Sequence, residues 1–147
     1  MEIKEENINR FIFAMFNMMQ GFKEGMEECS ASSGGLSEKE FVLITTVGQK
    51  QSAKMSEIAE GLNAPLSTVT SLVDKLVERK YLERYNSSED RRVVLVTLAT
   101  LGKQTFNSFL TFKTDIAKKI LSNFPESEQN ILINYLEKIP PILQTKK

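Results

Sequence analysis

The sequence predicts a mainly α chain with a small β-hairpin wing, and three observations carry that prediction. Apolar residues recur at helical spacing over two long stretches, residues 8–26 and 101–124. Two shorter helical patterns, "MSEIAEGL" and "LSTVTSLVDKL", meet at the tight "NAP" of residues 63–65. Two pieces rich in β-branched and aromatic residues, "YLERY" and "VVLVTL", flank the polar "NSSEDR", which has turn chemistry. A helix-turn-helix followed by a hairpin is a winged helix.

In chain order, the first helix has Ile8, Phe11, Ile12, Met15, Met18, Met19, Phe22 and Met26 on one face. Phe13 and Phe16 widen that face beyond one stripe, as on a helix packed from more than one side. The run "SASSGG" breaks the pattern. Ser37 and Glu40 then have the spacing of a capping box, ahead of Phe41, Val42, Leu43, Ile44 and Val47 on a second helix. After Gly48 and "QKQSAK", a short helix buries Met55, Ile58, Ala59 and Leu62. Pro65 suits the first turn of the next helix, where its missing N–H would have had no partner. That helix directs Leu66, Val69, Leu72, Val73 and Leu76 inward. After the hairpin, a long helix runs through Phe106, Phe109, Leu110, Ile116, Ile120 and Leu121 to a break at Pro125. A last one carries Ile131, Leu132, Tyr135, Leu136 and Ile139 until Pro140 and Pro141 stop it.

Composition narrows the function. A chain of 147 residues, 41% hydrophobic and 26% charged, is expected to form a single domain around one core. The formal net charge is zero, so any positive surface must be local. Residues 1–30 carry six acids (Glu2, Glu5, Glu6, Glu24, Glu27, Glu28) against three bases (Lys4, Arg10, Lys23). There is no histidine, and one cysteine, Cys29, makes neither a zinc cluster nor an internal disulfide. Glycine-rich phosphate loops and nucleophile elbows are missing. The pairs Glu27–Glu28 and Glu89–Asp90 lie in charged surroundings that do not raise carboxylate pKa values. No enzyme, metal site or cofactor is expected. The start "MEIKEEN" does not resemble a signal peptide, and the apolar window "FIFAMFNMM" is far shorter than the roughly 20 residues of a membrane span. A cytoplasmic protein is expected, and the glycosylation-like Asn86-Ser87-Ser88 is then a chance match.

Nucleic acid fits what remains. The exposed turns of the helix after Pro65 carry Ser67, Thr68, Thr70 and Ser71, short hydroxyl side chains that can approach bases or phosphates, and its N-terminus favours an anion. Helix-turn-helix pairs also serve as packing units, so the hairpin matters. At its tip, Arg91 and Arg92 project where they could reach a phosphate backbone or a narrow minor groove, with Asp90 holding one of them. Taken alone, those charges would be a surface ion pair worth about 0–1 kcal/mol.

Residues from about 36 to 102 resemble the winged-helix core of the multiple-antibiotic-resistance regulator (MarR) family. "SEIAEGL", "STVTSLVDKLVERKYLER", "EDRRVVLVTL" and Gly102 carry the likeness, and Asp90-Arg91-Arg92 matches the family's Asp-x-Arg wing signature. The resemblance implies a homodimer in which each protomer presents one winged helix, about residues 36–100, to palindromic double-stranded operator DNA. The segments 1–30 and 101–147 would be its dimerisation helices. It implies a transcriptional regulator, usually a repressor, released by a small aromatic or lipophilic effector or by an oxidant. The DNA-contacting set is then Ser67, Thr68, Thr70, Ser71, Lys75, Arg84, Asp90, Arg91 and Arg92. An effector crevice is expected beside Phe11, Met15, Phe16 and Phe22.

Three positions depart from the family pattern. Ser71 stands where Arg is frequent, and Lys80 where Gly commonly ends the recognition helix, so a left-handed backbone there would strain Lys80. Ala99 replaces a Thr, leaving Thr97 or Thr100 to cap the long helix. Two alternatives stay open: an interaction module that has lost DNA binding, and a thiol sensor acting through Cys29. Against the second, Cys29 ends the first helix beside Glu27 and Glu28, whose charges would raise its pKa.

Overall fold

A computed structural model describes residues 1–144; the last three residues of the expected C-terminal segment lie outside the described residues. The order is α1 (Glu5–Ser32), α2 (Glu38–Lys50), β1 (Ala53–Lys54), α3 (Met55–Leu62), α4 (Leu66–Glu78), β2 (Leu82–Asn86), β3 (Val94–Leu98), α5 (Thr100–Leu121) and α6 (Glu126–Gln144). The chain divides into two compact units, residues 1–110 and the residues from 111 onward. Among the described residues no helix is long and apolar enough to cross a membrane.

In the first unit, α1 extends beyond the expected stretch at both ends, with Glu5 and Glu6 complementing the dipole of its first turn. The hydroxyls of Ser32 and Ser33 donate to the Cys29 carbonyl as the helix ends, and Gly34 and Gly35 take positive φ values of 95° and 70° to reverse the chain. The capping box forms as the spacing predicts. The Glu40 N–H donates to Ser37 Oγ at 3.2 Å, and the Ser37 N–H to Glu40 Oε2 at 2.8 Å.

The core gathers Phe41, Leu43, Ile44 and Val47 of α2, Ile58 of α3, Val69, Val73 and Leu76 of α4, and Leu82 and Val96 of the sheet, all essentially inaccessible. Phe109 of α5 closes it, its ring edge-on to Phe41 at 5.8 Å. The sheet has three strands in the order β1-β3-β2, all antiparallel, with Leu82 opposite Leu98 and Asn86 opposite Val94. The two-residue β1 is an addition to the expected hairpin, since a period of two cannot show in so short a piece.

Lys80 does adopt the left-handed backbone, at φ 66°, as the Tyr81 N–H bonds the Leu76 carbonyl at 2.9 Å. The chain reversal it makes is bound to α5: the N–H of Ala99 donates to the Tyr81 carbonyl, and that of Leu101 to the Lys80 carbonyl. A side chain at Gly102 would collide with the Tyr81 carbonyl oxygen, so this close approach requires glycine. Thr97 does not cap α5, because it lies in β3 and its hydroxyl donates to the Gln51 carbonyl. The first bond of α5 runs from the Lys103 N–H to the Ala99 carbonyl, with Thr100 already helical.

In the second unit, α5 ends at Leu121, and the side-chain amide of Gln129 donates to the carbonyls of Leu121 and Phe124 across the turn. One expectation fails here: α6 runs through Pro140 and Pro141 to Gln144. Proline fixes φ near the helical value. The donors it lacks would have served the carbonyls of Leu136 and Glu137, both exposed residues whose carbonyls water can reach near a helix end.

Candidate nucleic-acid interface

The geometry of α4 begins at Pro65, whose extended backbone (φ −60°, ψ 147°) precedes the helix and whose carbonyl accepts the Val69 N–H. Val69, Val73 and Leu76 face the core. Ser67, Thr70, Ser71, Asp74 and Lys75 are exposed, and Thr68 is half-buried. Leu66 corrects an expectation. Placed on the inner face by its spacing, it is 55% exposed, because the first helical residue overhangs a core whose first fully buried α4 side chain is Val69. The Thr70 hydroxyl donates to the Leu66 carbonyl at 2.9 Å and that of Ser71 to the Ser67 carbonyl at 3.1 Å, so both protons turn back on the helix.

Behind the exposed face lies a cluster that sequence reasoning missed. Glu40, only 2% exposed, receives Lys75 Nζ at 2.6 Å on one oxygen and Arg79 at 3.5 Å on the other. Arg79 also donates to the Gly34 carbonyl and lies over the Tyr81 ring, and the Tyr81 hydroxyl donates to the Ser33 carbonyl at 2.6 Å. Burial pushes the Glu40 carboxyl up. The hydrogen bonds from Lys75 and the Ser37 N–H and the charges of Lys75 and Arg79 outweigh it, and the net shift is downward. Lys75, expected to face DNA, is thus engaged behind α4 although its side chain stays largely exposed. The visible signal was the four-residue spacing of Lys75 and Arg79; the acid they meet lies on another helix, far away in sequence.

The hairpin is joined to α4 by an ion pair between Arg84 of β2 and Asp74. At its tip the Val93 N–H donates to the Asp90 carbonyl, and the Asn86 amide to the Arg91 carbonyl. Asp90 Oδ1 accepts both the backbone N–H (3.0 Å) and Nε (3.2 Å) of Arg92, so Arg92 is the arginine it holds. The Arg92 side chain remains 92% exposed, and Arg91 is exposed beside it. Residues 36–94, from just before α2 to the first residue of β3, match the family model of the MarR family.

That segment is similar to the MarR family. The chain is similar to two HTH-type regulators of Bacillus subtilis (strain 168). YpoP is 28% identical over 71% of this chain and 74% of its own length, and the repressor YetL is 25% identical over 84% and 74%. Its fold is similar to that of Streptococcus pneumoniae FabT, solved in complex with DNA, at a TM-score of 0.77 and 25% identity, covering 98% of this chain and all of that one. The chain accordingly has a winged helix-turn-helix fold and is similar to transcriptional regulators, which are not enzymes.

The expected effector residues are less gathered. Phe11, Phe16 and Phe22 are exposed along α1, and Met15 is half-buried. None lines the crevice of about 540 Å³ beside α2, whose walls include Met26, Ala31, Leu36, Phe41 and Val42. Cys29 is half-buried. Burial, and then the Glu28 charge, push its thiol pKa up, away from a reactive thiolate.

Proposed function

We propose that the chain is a homodimeric repressor that binds palindromic operator DNA through α4 in the major groove and the wing in the minor groove. The supporting observation is the Arg84–Asp74 ion pair, which joins the wing to the exposed face of α4 so that both can meet one duplex together. Ser67, Thr68, Thr70, Ser71 and Lys75 would approach the groove from the helix. Arg84, Arg91 and Arg92 would serve the backbone and minor groove, with Asp90 aiming Arg92. FabT, solved with DNA, supports this use of the fold.

Dimerisation is proposed through the segments 1–30 and 101–147. Its support in α1 is that a 28-residue helix buries only Ser30 while Phe11, Phe13, Phe16 and Met19 stand open. The effector proposed is a small lipophilic or aromatic molecule held by Phe11, Met15, Phe16 and Phe22 or by the crevice at Met26 and Phe41. It would lower DNA affinity only by binding the DNA-free geometry better.

Selection from random duplexes with the purified protein tests the core of this proposal. The expected product is a palindrome with half-sites about one helical turn apart, bound with steep salt dependence. Failure to enrich any sequence would favour an interaction module.

A further inference from the structure

We infer that Leu66 is a specificity-determining residue that reads the C5-methyl group of a thymine in each half-site. The inference rests on the proposal that α4 enters the major groove. Residues 66–74 contain no Arg, Lys, Asn or Gln, so the first turns of α4 lack every side chain that makes two hydrogen bonds to a guanine or adenine edge. The next base, Lys75, is drawn to Glu40. Thr70 and Ser71 give their protons to the carbonyls of Leu66 and Ser67, an arrangement that leaves acceptor lone pairs toward the groove. Asp74, also an acceptor, is held by Arg84.

What this surface presents is the hydroxyls of Ser67 and, half-buried, Thr68, for which no protein partner is seen among the described residues, and one aliphatic side chain, Leu66, at 55% exposure. Thr70, four residues on, lies on the same face and adds its γ-methyl to the apolar surface. The thymine methyl is the one apolar group a base pair of unmodified DNA offers in the major groove. An exposed leucine among short, donor-poor side chains matches it, and burying both removes apolar surface from water on both partners.

The test uses the full chain and its selected operator, with each thymine replaced in turn by deoxyuridine, which removes only the methyl group. One thymine per half-site is expected at which the replacement weakens binding about fourfold, the effect of burying one methyl group. In Leu66→Ala that penalty should vanish, with the melting temperature unchanged because the side chain is exposed. The inference is overturned if no thymine methyl affects binding, or if the penalty is as large in Leu66→Ala as in the parent. A chain that enriches no duplex at all would overturn the DNA-binding proposal itself, an outcome distinct from an operator indifferent to its methyl groups.

Discussion

Helices α1 and α4 have the same kind of amphipathic sequence and opposite fates. α4 sinks Val69, Val73 and Leu76 into a finished core, while α1, more than twice as long, buries one serine and leaves Phe13 72% and Phe16 58% exposed. Apolar periodicity in a sequence therefore announces burial without saying against what. For α4 the partner is the chain itself; for α1 it must be supplied, and a second copy is the proposed source.

The largest effect expected from this contrast is on assembly. Deleting residues 1–30 should produce aggregation, and Phe13→Lys/Phe16→Lys should weaken the dimer by about 2–4 kcal/mol, read as a concentration-dependent mass in sedimentation. Leu76→Ala should instead cost about 2–5 kcal/mol of folding stability in the usual range for a buried leucine. A dimer indifferent to the two lysines would show that α1 is covered in another way.

A smaller effect is expected where α4 meets α2. Glu40→Gln removes the ionic partner of Lys75 and Arg79 and weakens the cap, for about 1–3 kcal/mol at neutral pH. Because the folded-state pKa is depressed, this contribution is present above the unfolded value, near about 4.3. It is lost as the pH falls through the lower folded value. Denaturant titrations from neutral to acid pH should therefore show the parent's advantage over Glu40→Gln shrinking. A constant gap would mean that the ion pairs contribute nothing. The smallest effect is at Lys80: Lys80→Gly relieves a left-handed backbone and should raise stability by roughly 0.5–1 kcal/mol, after the flexibility that glycine adds to the unfolded chain.

What was legible in the sequence was local chemistry. The Ser37–Glu40 box, the left-handed turn at Lys80 and the Asp90–Arg92 pair each depend on residues a few positions apart. What escaped depends on distant partners or on their absence. β1 exists only because β3 lies beside it, and Lys75 turns to an acid 35 positions away. Leu66 stays exposed because the core ends one turn later, and Pro140 and Pro141 are accommodated because the carbonyls they orphan are near water. The helix and the hairpin that carry the candidate site were legible as elements. The ion pair of Lys75 with Glu40 and the exposure of Leu66 were not.

The central claim, that α4 and the wing bind one duplex, is tested most directly by the salt dependence of operator binding in wing variants. Arg91 and Arg92 are exposed at a hairpin tip, so Arg91→Ala, Arg92→Ala and the double variant should melt with the parent. Loss of one phosphate contact per protomer removes two from the dimer, so Arg91→Ala should flatten the slope of log K against log salt by roughly 1.8. Arg92→Ala should also reduce the preference for A·T-rich flanks, where a narrow minor groove attracts arginine. A double variant that binds the operator with the parent's affinity and salt slope would mean the wing does not touch DNA.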